Sequence, residues 1–562
     1  MEPRQIRNRL VEGERTLVAL GTSCVVLLMA ALGFFAVGRG QADSPQLRRR
    51  LSGTVFERAC GLQPRYIERL WRGYRPGRSE EIAVVPREPN FVGSFDITSH
   101  SGPWGYLQQV PLVFYGPGRV AERGEIDAPA TMADVYPTIG KFLNVKLPAR
   151  EGRVLEEALL PAKDRPALIV VLVWDGAGRA TLEQWPDRWP NLLEMMKKGT
   201  SYTNAIVGSS PSVTSAVHST LGTGAYPKDH GITGNELRRQ GGRLSETFNN
   251  LNTGGLELST FADQVDARLG NKPKVGMLGW TKWHMGMLGH GNALPGADSD
   301  DLGLIRYDGR IRVQTASAFR RLRQLEVGAN LSEALETVDQ SDGALDGEWL
   351  GNNISLPKGL APFGTYSNPA WAVLQTDMAL EMLSTRGYGR DHTPDIWLTN
   401  YKMTDLAGHL WGIESEETGS VVAAQDEALG TILEYLDRKV DDYVVMLTAD
   451  HGASPLLGST GAWPILQDEL VVDLDSHFKV PDGKSLVEST ATSAYFIDRA
   501  VARSTAVSLD EISAFLNDYT IRQNWTSEEL PTGYENRGAE QVFSSAFPTE
   551  QLKAIRLCAN SK

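Results

Sequence analysis

Four short blocks hold side chains whose types and spacing could do chemistry together. Asp405 and His409 stand four residues apart in DLAGH. On one helical turn they share a face and can grip a single cation; the alternative is a surface ion pair or a cap. Asp450 and His451 are adjacent in TADHG, where a turn lets both side chains converge. Asp175 ends the run ALIVVLVWDG, and Thr214 lies in VTSAVHSTLGTG, just ahead of a helix-compatible stretch. A hydroxyl at a helix N-terminus has backbone N–H groups beside it, a setting that suits phosphate oxygens; the plainer reading is an N-cap threonine. Together, acids, hydroxyl and imidazoles at strand ends suggest a hydrolytic metal site. His218, His230, His392 and His477 read as packed or hydrogen-bonded histidines. The acidic run Asp298–Asp301 reads as a solvated loop, with a calcium site as the alternative.

The elements that must position these groups follow from hydrophobic pattern. Seven apolar residues without alternation lead into Asp175, the signature of a strand buried on both faces of a parallel sheet. DIWLTN (Asp395 to Asn400) and YVVMLT (Tyr443 to Thr448) read the same way, each running into one of the candidate blocks. Lys274 to Leu278, a strand near Ile82 and VPLVFYG (Val110 to Gly116) complete the strands. Phe56 to Tyr74, Ala130 to Leu143, Trp189 to Lys197 and Val421 to Leu436 show helical periodicity. Strands alternating with helices predict an α/β fold, a doubly wound, mostly parallel sheet flanked by helices, with ligands at the carboxyl ends of its strands.

Composition narrows the partners. The 562 residues are 41% apolar and 22% charged, with a net charge of −13 and no long basic run, which argues against nucleic acid. Three cysteines leave no disulfide framework and no cysteine-rich zinc module, so a transition metal must be held by histidine and carboxylate. Residues 1–15 form a tail. Thr16 to Gly38 is uncharged and long enough to cross a bilayer, which predicts a single-pass membrane anchor; a cleaved signal peptide is the rival. Arginines on both sides make the charge rule indecisive for orientation. Residues 39–55 read as a tether to the catalytic domain.

The blocks in order resemble the alkaline phosphatase superfamily, in particular its type I phosphodiesterase/nucleotide pyrophosphatase-like branch. The matching stretches are the strand ending in Asp175, Thr214 with TGAYPKDHGITGN downstream, NYKMTDLAGHLWG, and TADHG. The resemblance implies two divalent metal ions, zinc or else manganese. One takes Asp175, Thr214, Asp450 and His451; the other takes Asp405, His409 and one further histidine. It implies Thr214 as nucleophile and Asn235 as a holder of a phosphate oxygen, with the backbone N–H after Thr214 as a second donor.

That further histidine is expected after the DHG block, where only His477 occurs, in unsuitable surroundings. The expected surroundings lie instead near the N-terminus, in TSHSGPWGYLQQVPLVFYGPG and PATMADVYPTIGKFLNVKLPAREGRVL. The chain therefore looks circularly permuted: residues 56–160 supply the segment the family usually carries last, residues 161–562 the remainder, and His100 the missing ligand. On that reading Cys60 and Cys558 are neighbours across the original junction, which predicts a disulfide between them if the domain is extracytoplasmic.

The implied activity is a membrane-tethered phosphoric ester hydrolase, phosphodiesterase or phosphatase, working on a small phosphorylated substrate through a phospho-threonine. Two ions about 4 Å apart clamp the attacking and leaving oxygens of such a displacement. Monoesterases of this group often place a Lys-x-Arg pair on the phosphate. Here Lys282-Trp283-His284 lacks the arginine, so Lys282, His284 and His290 are the candidates for lining the pocket. Residues 236–392 read as a cap-like insertion. A sulfatase is disfavoured, because its Cys/Ser-x-Pro-x-Arg signature is missing at the nucleophile. A phosphonate hydrolase, a phospho-group transferase and a non-catalytic phospholigand-binding protein are the alternatives.

Overall fold

In the computed structural model, the described residues are 54–561, without 95–97, 162–163, 308–310, 315–317, 321–330, 355–366 and 456. The expected anchor at 16–38 and its flanks lie outside them. Among the described residues, no helix is long and apolar enough to cross a membrane.

The Asp175 strand, Leu168–Trp174, is buried along its whole length, as an unalternated apolar run requires when both faces are covered. It lies at the centre of a nine-stranded sheet in the order Ile311–Gln314, Asp301–Tyr307, Val275–Gly279, Asp395–Tyr401, Leu168–Trp174, Tyr443–Thr448, Leu112–Tyr115, Thr200–Ile206, Gly124–Thr131. Most neighbours are parallel; Leu112–Tyr115 runs antiparallel to both of its own, and Ile311–Gln314 to Asp301–Tyr307. The sheet is thus mixed and mostly parallel, with helices packed around it.

Register decides what meets at the sheet edge. Trp174 pairs with Tyr401, and Val173 with Thr448. Carrying both registers forward puts Asp175 level with Lys402 on one side and with Asp450, two residues past Thr448, on the other, at the carboxyl ends of three adjacent parallel strands. Because Leu112–Tyr115 is antiparallel to Tyr443–Thr448, with Leu112 opposite Thr448, the residues ahead of Leu112 reach this same edge. His100 arrives by that route.

Several elements differ from the sequence reading. Phe56 to Tyr74 is two helices, Val55–Cys60 and Pro64–Gly73; Gly61 caps the first, and Pro64, with no N–H to donate, opens the second. Ala130 belongs to the strand Gly124–Thr131, and the helix starts at Val135 after a 3₁₀ turn boxed by Thr131 and Asp134. The stretch 236–392 is not simply a cap: it supplies the strands Val275–Gly279, Asp301–Tyr307 and Ile311–Gln314, and the helix Ala370–Arg386 buries Trp371, Leu374 and Met378 in the main core. A second, four-stranded antiparallel sheet, Val487–Ala491, Ala494–Ile497, Ile82–Pro86 and Phe543–Pro548, has no counterpart in the reading above.

The first described helix and the last, Leu552–Asn560, are joined by a disulfide between Cys60 and Cys558, with Cα atoms 5.7 Å apart. It closes nearly the whole chain into one loop. Replacing both cysteines by serine is expected to cost about 2–4 kcal/mol, read as a lower urea midpoint, with kcat unchanged. An unchanged midpoint would show that the bond constrains nothing.

Candidate active site

Two glycines let the pieces approach. Gly176, next to Asp175, has φ +71°, and a Cβ there would lie 2.7 Å from the Asp405 Cα. Gly452, next to His451, would drive a Cβ to 2.2 Å from the Tyr106 carbonyl oxygen. The glycines of both acid motifs therefore admit, respectively, the helix Met403–Trp411 and the segment carrying His100. Gly176→Ala is expected to abolish the close packing of Asp405, lowering metal affinity by at least about tenfold, as measured by equilibrium dialysis.

Asp175 is fully buried. Its Oδ1 accepts from the Lys402 ammonium at 2.8 Å and its Oδ2 from Asn400 Nδ2 at 3.0 Å. Asp405, on the same face as His409, lies 2.7 Å from the Lys402 Nζ through Oδ2, and its Oδ1 faces three imidazoles. His409 Nε2 is 3.4 Å away, His100 Nε2 3.7 Å and His451 Nε2 3.7 Å. His451 Nε2 also stands 3.6 Å from Asp175 and 3.5 Å from Asp450. Asp450 Oδ1 accepts from the Gly176 N–H at 3.0 Å. The site residues Asp175, Asp405, His409, Asp450, His451 and His100 thus converge, across 350 residues of chain between His100 and Asp450.

The tautomers of the three imidazoles follow from their second nitrogens. Nδ1 of His100, His409 and His451 lies against the carbonyl oxygens of Ser212 at 3.2 Å, Thr98 at 2.8 Å and Gly452 at 3.1 Å. A carbonyl only accepts, so Nδ1 carries the proton in each; in neutral His100 and His451 Nε2 then presents a lone pair to the carboxylates, whereas against burial Asp405 holds His409 above the ordinary imidazole value. Burial lowers His100 and His451 below the ordinary imidazole value, which keeps both neutral. Lone pair facing carboxylate oxygen at about 3.5 Å calls for a cation between them. Consistent with that, Asp450 Oδ2 and His451 Nε2 are buried without a hydrogen-bond partner among the described residues. Two three-residue groups, His100–Asp405–His451 and Asp175–Asp450–His451, each bring their donor atoms within 4.8 Å of one another. The donor set fits divalent metal.

His284 is different. Its Nδ1 faces the N–H groups of Trp280 and Thr281 at 3.3 and 3.5 Å, so Nδ1 accepts and Nε2 carries the proton, 3.4 Å from Asp175 Oδ2. At that distance it faces Asp175 without a hydrogen bond among the described residues. His218, brought down to about 3 by burial, donates through Nδ1 to the Thr214 carbonyl and accepts from Asn400 Nδ2 at 2.9 Å. The other two pocket candidates do not join the centre. Lys282 pairs with Glu246 at 2.7 Å, and His290 has both ring nitrogens taken, by Asp263 and the Leu256 carbonyl.

Thr214 opens the helix Thr214–Thr223 and is 2% exposed. Its Oγ1 lies 3.3 Å from Lys402 Nζ. Asn235 Oδ1 accepts from the Ser215 N–H at 3.1 Å and Ser215 Oγ at 2.9 Å. The backbone donor expected to hold a phosphate oxygen is therefore spent on Asn235, a correction that leaves the Asn235 amide N–H groups for that task.

Lys402 and Asn400 are the site residues the sequence reading missed. Burial works against the Lys402 charge, but Asp175, Asp405 and Asp450 hold the ammonium above the ordinary lysine value. In turn, against burial, Lys402 keeps Asp175 and Asp405 ionised, below the usual carboxylate range. Asp450, which Lys402 does not touch directly, is pushed up by burial and then by Asp175. The readable signal was position: a lysine directly after a buried strand and three residues ahead of a ligand cannot easily reach solvent.

Comparison with known proteins places this arrangement. The chain is 23% identical over 445 residues to alkaline phosphatase PafA of Elizabethkingia meningoseptica, covering 70% of this chain and 79% of that one. It is 33% identical over 111 residues to alkaline phosphatase PhoD of Zymomonas mobilis, a match spanning 18% of this chain and 19% of the relative. The crystal structure of wild-type PafA superposes with a TM-score of 0.51 at 18% identity, over 69% of this chain and 85% of that one, which shows a shared fold. The sequence model of type I phosphodiesterase / nucleotide pyrophosphatase matches residues 169–542. The chain belongs to that family, within the alkaline phosphatase superfamily.

Proposed function

We propose that the protein is a metal-dependent phosphoric ester hydrolase that acts through a phospho-threonine at Thr214. The observation that carries this reading is a buried hydroxyl at a helix N-terminus, beside two Asp/His groups whose donor atoms converge. Asp175, Asp450 and His451 would hold one divalent ion with Thr214, and Asp405, His409 and His100 a second. Such ions, zinc or manganese, supply Lewis-acid charge for the displacement. Thr214 Oγ1, its proton lost to solvent, attacks phosphorus; the P–O bond to the leaving group breaks, the departing alkoxide takes a proton from water, and the phosphoryl group passes to Thr214. Lys402 Nζ donates to Oγ1, favouring the alkoxide over the hydroxyl. The Asn235 amide holds a non-bridging oxygen. Water then cleaves the phospho-threonine, returning the hydroxyl and releasing phosphate or a phosphomonoester.

The PafA and PhoD relatives favour monoester turnover, and the phosphodiesterase family favours diesters. Comparing p-nitrophenyl phosphate with bis-p-nitrophenyl phosphate on the purified protein separates the two. Chelation is expected to abolish either activity, and added zinc or manganese to restore it; activity that survives complete metal removal would refute the reading. Permutation of the family order is part of the proposal. It is supported by the strands ahead of residue 169 pairing with matched strands, and by His100 lying at the centre. Tethering through residues 16–38, with the domain outside the cytoplasm, is proposed from the apolar run and accords with the disulfide.

A second reading of the metal count is favoured by Lys402. Its ammonium lies 2.8 Å from Asp175 and 2.7 Å from Asp405, the two carboxylates assigned to different ions. One divalent ion plus the lysine would neutralise the three buried acids. Metal analysis giving one ion per chain supports this version; two ions support the first.

A further inference from the structure

A second cluster lies outside this centre. Asp266, on the last turn of the helix Phe261–Arg268, meets Asp298 and Asp300 of the loop that leads into the strand Asp301–Tyr307. One carboxylate oxygen from each lies within 4.8 Å of the others. Asp266 is 4% exposed and Asp300 6%. Asp266 Oδ1 is buried with no hydrogen-bond partner among the described residues, inside a group of three acids.

The neighbouring acids show how unusual this is. Asp263, one turn earlier on the helix, is matched by the Thr260 N–H at 2.8 Å and His290 at 2.8 Å. Asp301, one residue on, has its Oδ2 matched by Arg386 at 2.7 Å and Tyr388 at 2.9 Å, while its Oδ1 makes no hydrogen bond among the described residues but has the Arg320 guanidinium 3.3 Å away. Among the described residues, the cluster receives one basic side chain, Arg320, 3.9 Å from Asp298. Buried carboxylates are otherwise paired or bound to metal.

We propose that Asp266, Asp298 and Asp300 bind a calcium ion that ties the helix Phe261–Arg268 to the outer strands of the central sheet. The donors are oxygen only, which selects a hard cation over zinc. Three carboxylates converging from two elements suit the large, irregular shell of calcium better than the octahedron of magnesium. Asp298 is half-exposed and gives the ion a way in. The Asn271 side chain, donating to the Gly296 carbonyl at 2.7 Å, already links the same helix end to the same loop, so the ion closes a preformed junction.

The test is thermal melting of the full chain, purified in calcium-free buffer, against added CaCl₂ and, separately, MgCl₂. Calcium is expected to raise the Tm saturably by about 2–3 °C, and magnesium by less. Asp266→Asn and Asp300→Asn should abolish the shift, while melting at or above wild type without calcium, because a like charge is gone. Asp298→Asn, at a half-exposed position, provides a variant whose folding is not in question. Asp405→Asn should keep the shift, which separates this site from the catalytic centre. No shift at 10 mM calcium, an equal shift with magnesium, or a shift persisting in the Asp298 and Asp300 variants would overturn the proposal.

Discussion

Replacing Thr214 by alanine is expected to lower kcat by about 10⁴–10⁶-fold on whichever ester the enzyme prefers. The methyl side chain cannot accept a phosphoryl group. Ser215 Oγ donates to the Gly234 carbonyl and Asn235, turned away from the centre. Metal content should stay within that of wild type, because Asp175, Asp450, His451, Asp405, His409 and His100 are untouched. Thr214→Ser keeps a hydroxyl at the helix N-terminus and should retain most of the activity. If the alanine variant turns over substrate within tenfold of wild type, Thr214 is not the nucleophile.

The second large effect belongs to Lys402. Lys402→Met fills the same volume without charge and strands two buried carboxylates, Asp175 and Asp405, that now share the ammonium. Removing one partner of a buried pair costs about 3–5 kcal/mol, so the metal-free variant should unfold at markedly lower urea. With metal present the gap should narrow, since the ions replace the missing charge. The catalytic cost should be separate and of similar size: kcat falls by about 10²–10³-fold, because the donor to the Thr214 oxygen is gone. Lys402→Arg is not a rescue, as the planar fork cannot sit between three groups gathered around one nitrogen. A Met variant with normal kcat would make Lys402 structural filler.

Much of this centre was legible because burial leaves a plain mark. A strand covered on both faces must be apolar throughout, so the acid that ends it stands out, as Asp175 and Asp450 do. His100 became readable only through the family resemblance of its flanking stretch, TSHSGPWGYLQQVPLVFYGPG; as a lone imidazole it does not differ from His230 or His290. Lys402 was missed because a lysine by default signals solvent, and only the register of Asp395–Tyr401 against Leu168–Trp174 shows that it cannot get there. His284 was found for the wrong task, since the direction of its proton depends on two backbone N–H groups that no sequence spacing reveals. The four-stranded sheet pairs Ile82–Pro86 with Phe543–Pro548, elements about 460 residues apart, and Val487–Ala491 alternates like any exposed edge. Of the strands in 236–392, Val275–Gly279 was legible as an apolar run, but Asp301–Tyr307 and Ile311–Gln314 were hidden, because they look like decoration until their partners are known.

The most direct measurement is a single-turnover reaction quenched in acid and mapped by mass spectrometry after proteolysis. One phosphoryl group is expected on Thr214 of the wild-type protein, absent from Thr214→Ala and dependent on bound metal. Turnover with no covalent phosphate at any time point, or phosphate on a residue other than Thr214, would contradict it.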